Sequence, residues 1–299
     1  MPTSSAKGGP SVTFLLRQPR QAQGFRELLR ADGGEAEALT LLWIPPGRFW
    51  MGSPETEPER RDSEGPQHLV QLQGFFMSQT SITQAQWREV AGWEEGPGEQ
   101  WGRELKLDPS SFQSNNDQHP VENVTWREAM EFCHRLSKRT DRIYTLPSEA
   151  QWEYACRAGT ITPFHFGDTI SPELANYNGT HAYGDGPKGI NREQTTPVGM
   201  FPANAWGLQD MHGNVWEWCL DEWHESYEGA PTDGRVWAEH VEGEKGKERE
   251  QTRLLRGGSW YDSPRYCRSA FRNHSRPDDA YDDVGFRVVC LPQGPSVNP

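Results

Sequence analysis

The chain lacks the positive charge that several classes of binding protein need. Acidic residues outnumber basic ones by 43 to 30, which gives a formal net charge of −13. Binding to a nucleic-acid backbone requires a basic surface that releases counterions, so this composition argues against a nucleic-acid partner. An anionic membrane surface is disfavoured for the same reason. The acidic excess is also compatible with a role in solubility alone.

Long apolar runs and closely spaced cysteines are missing as well. The sequence has no stretch of about 18 apolar residues that would predict a membrane span. Met1–Pro10 lacks the apolar segment of a secretion signal, so a cytoplasmic location is the simplest expectation. The cysteines are odd in number, widely spaced and form no Cys-x-x-Cys, which predicts buried free thiols rather than zinc ligands or disulfides. They are Cys133, Cys156, Cys219, Cys267 and Cys290.

Tryptophan and turn-forming residues are plentiful. The chain has 13 Trp, 30 Gly and 23 Pro but only 6 Met. Many turn formers favour an irregular backbone, and large rigid aromatic side chains can fill a core that few regular elements cover. We therefore predict a loop-rich fold with an aromatic core.

Local patterns predict short strands and three helices. Apolar runs bounded by turn residues predict strands within 41–44, 48–52, 68–77, 253–260 and 284–289. Thr83 and Thr125 are each followed three residues later by Gln or Glu, which is the pattern of a capping box at the start of a helix. A third helix is predicted from Ser148 to Gly159.

The chain is predicted to hold one domain with flanking segments. Residues 1–40 form an N-terminal tail or appendage, with a strand predicted over Val12–Leu16 and a helix over Ala22–Arg30. The domain covers 41–292, and 293–299 form a C-terminal tail. Residues 224–252 are highly charged and are predicted to be an exposed insertion.

Six motifs in a fixed order give the chain a family resemblance. They are Pro45–Gly52, Pro120–Trp126, Leu146–Ala155, Gly213–Trp218, Arg256–Trp260 and Gly285–Arg287. This series resembles the formylglycine-generating-enzyme (sulfatase-modifying factor) family. The resemblance implies an α+β fold of the C-type lectin type, with little regular secondary structure, two twisted antiparallel sheets and a few helices. It also implies that Trp126, Trp152, Trp216 and Trp218 lie in the core.

Bound calcium is common in the family that the chain resembles. Oxygen-bearing residues are the ligands that calcium prefers, and two groups in this chain correspond to family sites. Turn capping by the asparagines is the alternative explanation. The candidate residues for a structural calcium ion are Asn176, Tyr177 and Asp185 in the first group, and Asn214, Val215 and Glu217 in the second.

The chain departs from the family at the position of its redox chemistry. The resemblance implies that oxidase members bind copper(I) through two cysteine thiolates five residues apart, after the Gly-Gly-Ser motif. The matching positions here are Asp262 and Cys267. A carboxylate is a poor ligand for copper(I). Copper is therefore not expected, and oxidase activity on peptide cysteines is kept only as the alternative function.

The segment 261–283 has the composition of a binding surface. Tyr, Arg, Asp, Asn, His and Ser follow one another without an amphipathic period, and such mixtures of rigid aromatic and adaptable polar side chains are typical of protein-binding sites. The predicted ligand contacts are Tyr261, Asp262, Arg265, Tyr266, Phe271, Asn273, His274, Ser275, Arg276, Asp279, Ala280, Tyr281 and Asp282. The residues predicted to stay fixed between them are Pro264, Cys267, Arg268, Ser269, Pro277 and Asp278.

One branch of the family suggests a specific origin for this composition. In diversity-generating retroelements a mutagenic reverse transcriptase randomises the adenines of AAC codons, which then cannot encode Lys, Glu, Gln, Trp or Met. These five types make up 70 of the 299 residues, yet none lies within 261–283. We interpret the chain as a non-catalytic, ligand-binding protein, with 257–287 as a diversified or diversifiable region and a protein as the ligand. An ordinary binding or regulatory module remains an alternative.

Overall fold

The computed structural model describes residues 22–29, 37–93, 104–112, 117–238 and 252–292. Within these ranges the chain mixes short strands with three α-helices, which confirms the α+β class. The helices are α1 Gln84–Ala91, α2 Trp126–Thr140 and α3 Glu149–Arg157. The strands are β1 Gly24–Leu28, β2 Ala38–Ile44, β3 Gly47–Met51, β4 His68–Leu72, β5 Phe75–Ser78, β6 Ile143–Thr145, β7 Trp216–Glu222, β8 Arg253–Arg256, β9 Asn273–Ser275, β10 Val284–Gly285 and β11 Val289–Leu291.

Two larger sheets and one hairpin organise the strands. The first sheet is antiparallel in the order β1-β2-β5-β11-β6, and the second has the order β10-β7-β8-β9. In the second sheet only the edge pair β10–β7 is parallel. Strands β3 and β4 pair as a separate antiparallel hairpin. The last third of the chain therefore supplies all four strands of the second sheet.

The predicted helix starts are confirmed by their hydrogen bonds. Thr83 and Thr125 each accept a bond from the backbone N–H of the third residue of the helix, whose side chain bonds back to the cap. Ser148 forms the same reciprocal pair with Gln151 at the start of α3. Each box satisfies two donors that a helix leaves open at its N-terminus.

The predicted helix over Ala22–Arg30 is wrong. Residues 24–28 form β1, which pairs with β2 along the edge of the first sheet. Phe25 packs edge-on against Phe76 of β5, with 5.0 Å between the ring centroids. Pairing and packing across the sheet thus override the local helix preference. The predicted strand over Val12–Leu16 lies outside the described residues.

Three of the predicted strands end earlier than the apolar pattern indicated. The run 68–77 divides at Gly74, where an added Cβ would meet the Trp43 ring at 2.3 Å. Strand β4 stays in the hairpin while β5 joins the first sheet. Strand β8 stops before Gly257, whose φ is 103°, and the run 284–289 supplies β10 and β11 to different sheets.

The core is aromatic, as predicted. Trp152 and Trp218 are fully buried, and Trp126 and Trp216 are almost so. All five cysteines are buried free thiols, as expected. None of the helices in the described ranges has the length and apolar character needed to cross a membrane. Of the charged segment 224–252, residues 239–251 lie outside the described part.

Candidate ligand-binding face

The segment that contains the predicted contacts begins with a tight turn at two glycines. Gly257 and Gly258 follow β8 with φ values of 103° and 74°, a conformation that strongly favours glycine. An added Cβ on Gly258 would lie 2.6 Å from the Sγ of Cys267. The chain then forms a short 3-10 helix, Pro264–Cys267, and returns to the sheet as β9. Close packing therefore fixes the base of the segment.

Buried arginines fasten this segment to distant parts of the chain. The guanidinium of Arg268 donates to the carboxylates of Glu57 and Glu64 at distances of 2.6 to 2.7 Å. Arg272 donates to Glu149 at 2.7 and 3.1 Å, and to the Ser63 carbonyl at 2.6 Å. Both arginine side chains are fully buried. A positive charge in the protein interior is stable only with an oppositely charged partner and hydrogen bonds, and each of the two arginines has both.

The residues predicted to stay fixed are mostly internal. Pro264, Cys267, Arg268 and Ser269 are buried, while Pro277 is half-buried and Asp278 is exposed. Asp278 bonds to Arg127 of α2 at 3.1 Å. These positions hold the segment in place, which fits a supporting role.

Most of the predicted contacts lie at the surface. Tyr261 is 69% exposed and Tyr281 is 48% exposed. Phe271 is a correction, because it is only 1% exposed and packs on Trp216 and Tyr266. The side chains of His274, Arg276 and Asp282 are exposed as well, whereas the remaining predicted contacts are half-buried: Asp262, Arg265, Tyr266, Asn273, Ser275, Asp279 and Ala280.

Hydrogen bonds connect several of these surface positions to one another. The Asp279 carboxylate accepts bonds from the Ser275 hydroxyl at 2.9 Å and from the Tyr281 hydroxyl at 3.3 Å. The next residue, Asp282, accepts a bond from the Trp260 indole N–H through its carbonyl. We call residues 260–262, 274–276 and 279–282 the C-terminal face. Trp260 was not among the predicted contacts because the segment recognised by its composition begins at residue 261.

Carboxylates crowd one end of the C-terminal face. The Ser259 hydroxyl lies 2.6 Å from a carboxylate oxygen of Asp262 and 3.0 Å from one of Asp283. Burial, together with the nearby charge of Asp262, raises the pKa of Asp283 to about 6. Burial likewise raises the pKa of Asp262. Glu122 lies nearby, and burial raises its pKa to about 7.

The thiols at and near the position of the family's copper pair are neutral in this protein. Cys267 is completely buried, and burial raises its pKa well above the usual thiol range, with a further contribution from the charge of Asp262. Cys156 lies 3.7 Å from Nε2 of His212, but burial raises the Cys156 pKa to about 12 and lowers the His212 pKa to about 4. Neither thiol is held as the thiolate that metal binding or nucleophilic attack requires.

Two of the calcium candidates contact each other, and the others lie in different environments. The Asn176 amide donates to Oδ1 of Asn214 at 3.1 Å, while Glu217 bonds to Arg287 at 2.6 and 2.8 Å. This ion pair does not favour Glu217 as a calcium ligand. Asp185 is exposed. Tyr177 and Val215 are buried. In the described ranges no cluster of three His, Cys, Asp or Glu side chains is arranged to hold a metal.

One buried oxygen does fit a hard cation. Oδ1 of Asn176 is buried and has no hydrogen-bond partner among the residues that the structure describes. A buried carbonyl oxygen without a donor is unusual in proteins, and calcium coordinates such oxygens readily. The first candidate group therefore keeps calcium binding as a prediction, with Asn176 as its best-supported ligand.

Comparison with known proteins places the chain in a family. The sequence profile of the sulfatase-modifying factor enzyme 1-like domain matches residues 29–291. The formylglycine-generating enzyme of Mycobacterium tuberculosis is 30% identical over 307 residues, which cover 84% of this chain and 98% of that protein. Among solved structures, PvdO from Pseudomonas aeruginosa has a TM-score of 0.72 and 32% identity, and the match covers 91% of this chain and 100% of that one.

A more distant structure shows the breadth of the fold. Treponema denticola variable protein 1 has a TM-score of 0.67 and 22% identity, with 90% of this chain and 99% of that chain covered. The sheets, the aromatic core and these likenesses define a C-type-lectin-like protein. The chain belongs to the sulfatase-modifying factor, or formylglycine-generating-enzyme, family, which confirms the resemblance found in the motifs.

Proposed function

We propose that the protein binds a protein ligand through the C-terminal face and does not act as an oxidase. The main support for this proposal is a contrast within residues 260–282. Some side chains are exposed, whereas the residues beneath them are buried and are held in place by the ion pairs of Arg268 and Arg272. Rigid aromatic side chains such as Tyr261 and Tyr281 offer a large contact area and lose little conformational entropy on binding. Diversification of this face and a cytoplasmic location belong to the same proposal.

Two features support binding over oxidase chemistry. Asp262 replaces one thiolate of the family's copper pair, and the remaining Cys267 is buried as a neutral thiol. The fold is also shared with a protein that is named a variable protein.

Titration with copper(I) tests the competing function directly. Stoichiometric copper binding that is lost in Cys267→Ser would favour the oxidase and contradict our proposal.

Site-specific photo-crosslinking in the native cells tests the binding face. A photoreactive amino acid is placed at Tyr261 or Tyr281, and matched controls carry it at Ile161 and Met200. The controls are also exposed, at 82% and 59%, but lie outside the C-terminal face. We expect one discrete crosslinked species from the face positions and none from the controls. Equal labelling at all four positions, or none at any, would contradict the proposal.

A structural calcium ion is a separate proposal. Asn176 would hold it through its side-chain oxygen, and the ion would supply a positive charge that orders the surrounding loop.

A further inference from the structure

Two arginines converge on the ring of Tyr266, which is one of the predicted ligand contacts. The guanidinium carbons of Arg61 and Arg265 lie 5.6 and 4.5 Å from the centroid of this ring, so they are no farther apart than these two distances together. Arg61 directly precedes the 3-10 helix Asp62–Glu64, and Arg265 lies in the 3-10 helix Pro264–Cys267. Arg61 is exposed and the other two residues are half-buried, so the pair lies at the surface.

Neither guanidinium group has a carboxylate partner in the part of the chain that the structure describes. The neighbouring carboxylates bind other groups. Asp62 lies 3.5 Å from Arg60, Glu64 pairs with the buried Arg268, and Asp262 accepts a serine hydroxyl. Acidic residues outnumber basic ones by 43 to 30, so a shortage of carboxylates in the chain is not the reason.

Most other arginines that stack on aromatic rings in this protein also pair with a carboxylate. Arg142, for example, lies 4.8 Å from the centroid of the Phe25 ring and 3.2 Å from the carboxylate of Glu27. The same arrangement holds for Arg253, Arg256, Arg268 and Arg272. Within the described ranges, Arg61 and Arg265 have the ring but no carboxylate, which indicates that the anion comes from another molecule.

The aromatic rings hold both guanidinium groups in position without cancelling their charge. Arg61 also lies 4.6 Å from the centroid of the Phe271 ring, and Nη2 of Arg265 donates to the Tyr266 hydroxyl. A side chain that is already positioned loses less conformational entropy on binding, and the planar fork of arginine matches the two oxygens of a carboxylate. The two arginines are therefore suited to bind one carboxylate together.

We infer that Arg61 and Arg265, beside Tyr266, bind an acidic side chain of the protein ligand, glutamate or aspartate. The inference rests on the proposed function, because it names the chemistry of the partner next to the same surface. It also brings Arg61, which lies outside the segment 261–283, into the binding site. The net charge of −13 disfavours acidic ligands elsewhere on the surface, so binding of one at the arginine pair would be specific.

A pair of tripeptides tests the inference on the intact protein. One is a capped Gly-Glu-Gly, and the other is a capped Gly-Gln-Gly, which has nearly the same shape but no charge. We expect the glutamate peptide to bind about tenfold more tightly in an NMR titration, because charge-assisted hydrogen bonds are stronger than neutral ones. The preference should fall below about threefold in Arg61→Gln and in Arg265→Gln, since each variant leaves only one guanidinium group at the site.

Two further variants separate a local effect from a general one. Arg142→Gln is the matched control, because it removes the same charge from a ring-stacked arginine that has its own carboxylate, and it should leave the preference unchanged. Arg61→Lys keeps the positive charge at the site and should retain a preference above about threefold. Near-UV circular dichroism shows whether each variant keeps the native core.

Equal affinity for the two peptides, no saturable binding of either, or an unchanged preference in both glutamine variants would overturn the inference. A loss of the preference in Arg142→Gln as well would indicate a general charge effect and would also overturn it. Crosslinking at Tyr261 and Tyr281 separates the two proposals. Crosslinks without a preference for glutamate would remove only the acidic ligand group, whereas loss of both would remove the binding function as well.

Discussion

Burial and the neighbouring charge of Asp262 raise the pKa of Asp283, and this shift makes the stability of the protein depend on pH. The unfolded chain releases the proton of Asp283 near its ordinary pKa of 3.8, but the folded protein holds it up to about pH 6. Between these values the folded state binds more protons than the unfolded state. The stability that this group contributes is therefore present at low pH and falls as the pH rises from about 4 through 6.

Asp283→Asn should remove this loss of stability. Asparagine still accepts the Ser259 hydrogen bond but carries no charge. We expect equal unfolding free energies for the variant and the wild type near pH 4, and a variant that is more stable by about 1–3 kcal/mol at pH 7. Urea denaturation at several pH values measures the difference. A variant that is less stable at pH 7 would show that the charge of Asp283 is compensated in the folded protein.

A second prediction at this scale concerns the lost copper site. Asp262→Cys restores a second thiol at the position where the family's oxidases have one, with Cys267 as its partner. Soft thiolates select copper(I), so we expect the variant to bind copper(I) more tightly than the wild type. Competition titration against a copper(I) chelator measures the gain. Asp262→Cys combined with Cys267→Ser is the control, and a gain that persists there would mean that the pair is not reconstituted.

Single residues differ in how far sequence alone could predict them. Exposure of Tyr261 and Tyr281 followed from an irregular polar segment, which rarely packs inside. Burial of Phe271 did not, because a phenylalanine in such a segment can face either way until the core around Trp216 is known. Glu122 was missed entirely. Its environment comes from Phe112 and Asp282, which are 10 and 160 residues away along the chain.

At the scale of elements, β1 depends on a close approach to β2. An added Cβ at Gly24 would lie 2.1 Å from the carbonyl oxygen of Leu41. We expect Gly24→Val to lower the unfolding free energy by about 1–3 kcal/mol, because the backbone of β1 would have to shift. Arg26→Val on the same strand is the matched control, since Arg26 is exposed and its replacement should change stability by less than about 0.5 kcal/mol. Chemical denaturation of both variants tests the prediction, and equal effects would contradict it.

Helices were more predictable than strands in this chain, for a physical reason. A capping box is a local hydrogen-bond pattern, so Thr83 and Thr125 marked their helices without knowledge of the fold. The ends of strands depend on their partners. Gly74 separates β4 from β5 because the Trp43 ring leaves no room for a side chain, and that contact is invisible in the local sequence.

The loop that carries Asn176 provides a test of calcium binding. Because its Oδ1 lacks a hydrogen-bond donor among the described residues, we expect calcium to raise the melting temperature and a chelator to lower it. Asn176→Ala should abolish the response. Asn178→Ala is the control, since its side-chain oxygen already accepts the Thr180 hydroxyl at 2.6 Å. An identical calcium response in wild type and Asn176→Ala would place any ion elsewhere.

At the scale of the whole molecule, buried ion pairs join segments that are far apart in sequence. Arg256, Arg268, Arg272 and Arg287 are all fully buried, and each pairs with a glutamate from another part of the chain. Arg268 bridges residues more than 200 positions away. The pairs of Arg268 and Arg272 hold the base of the C-terminal face against the rest of the fold.

Arg268→Met should therefore be strongly destabilising. It would leave the buried Glu57 and Glu64 without their cation, and breaking a buried pair in this way costs about 3–5 kcal/mol. Arg235→Met is the matched control, because Arg235 is 72% exposed in its pair with Asp233 and exposed pairs contribute less than about 1 kcal/mol. Equilibrium denaturation gives both values. A small effect at Arg268 would mean that the two glutamates are readily neutralised or solvated.

The separation between the exposed face and its fastened base also has an evolutionary consequence. Exposed side chains such as Tyr261 can be exchanged at little cost to folding, so under the binding function that we propose, single substitutions would let lineages of this protein explore new ligands. Substitutions at Arg268 or Arg272 break a buried ion pair and destabilise the fold, so selection would eliminate them before any ligand is tested. Within one segment of 23 residues, selection for recognition and selection for foldability thus act on different positions, and a change of specificity need not pass through an unstable ancestor.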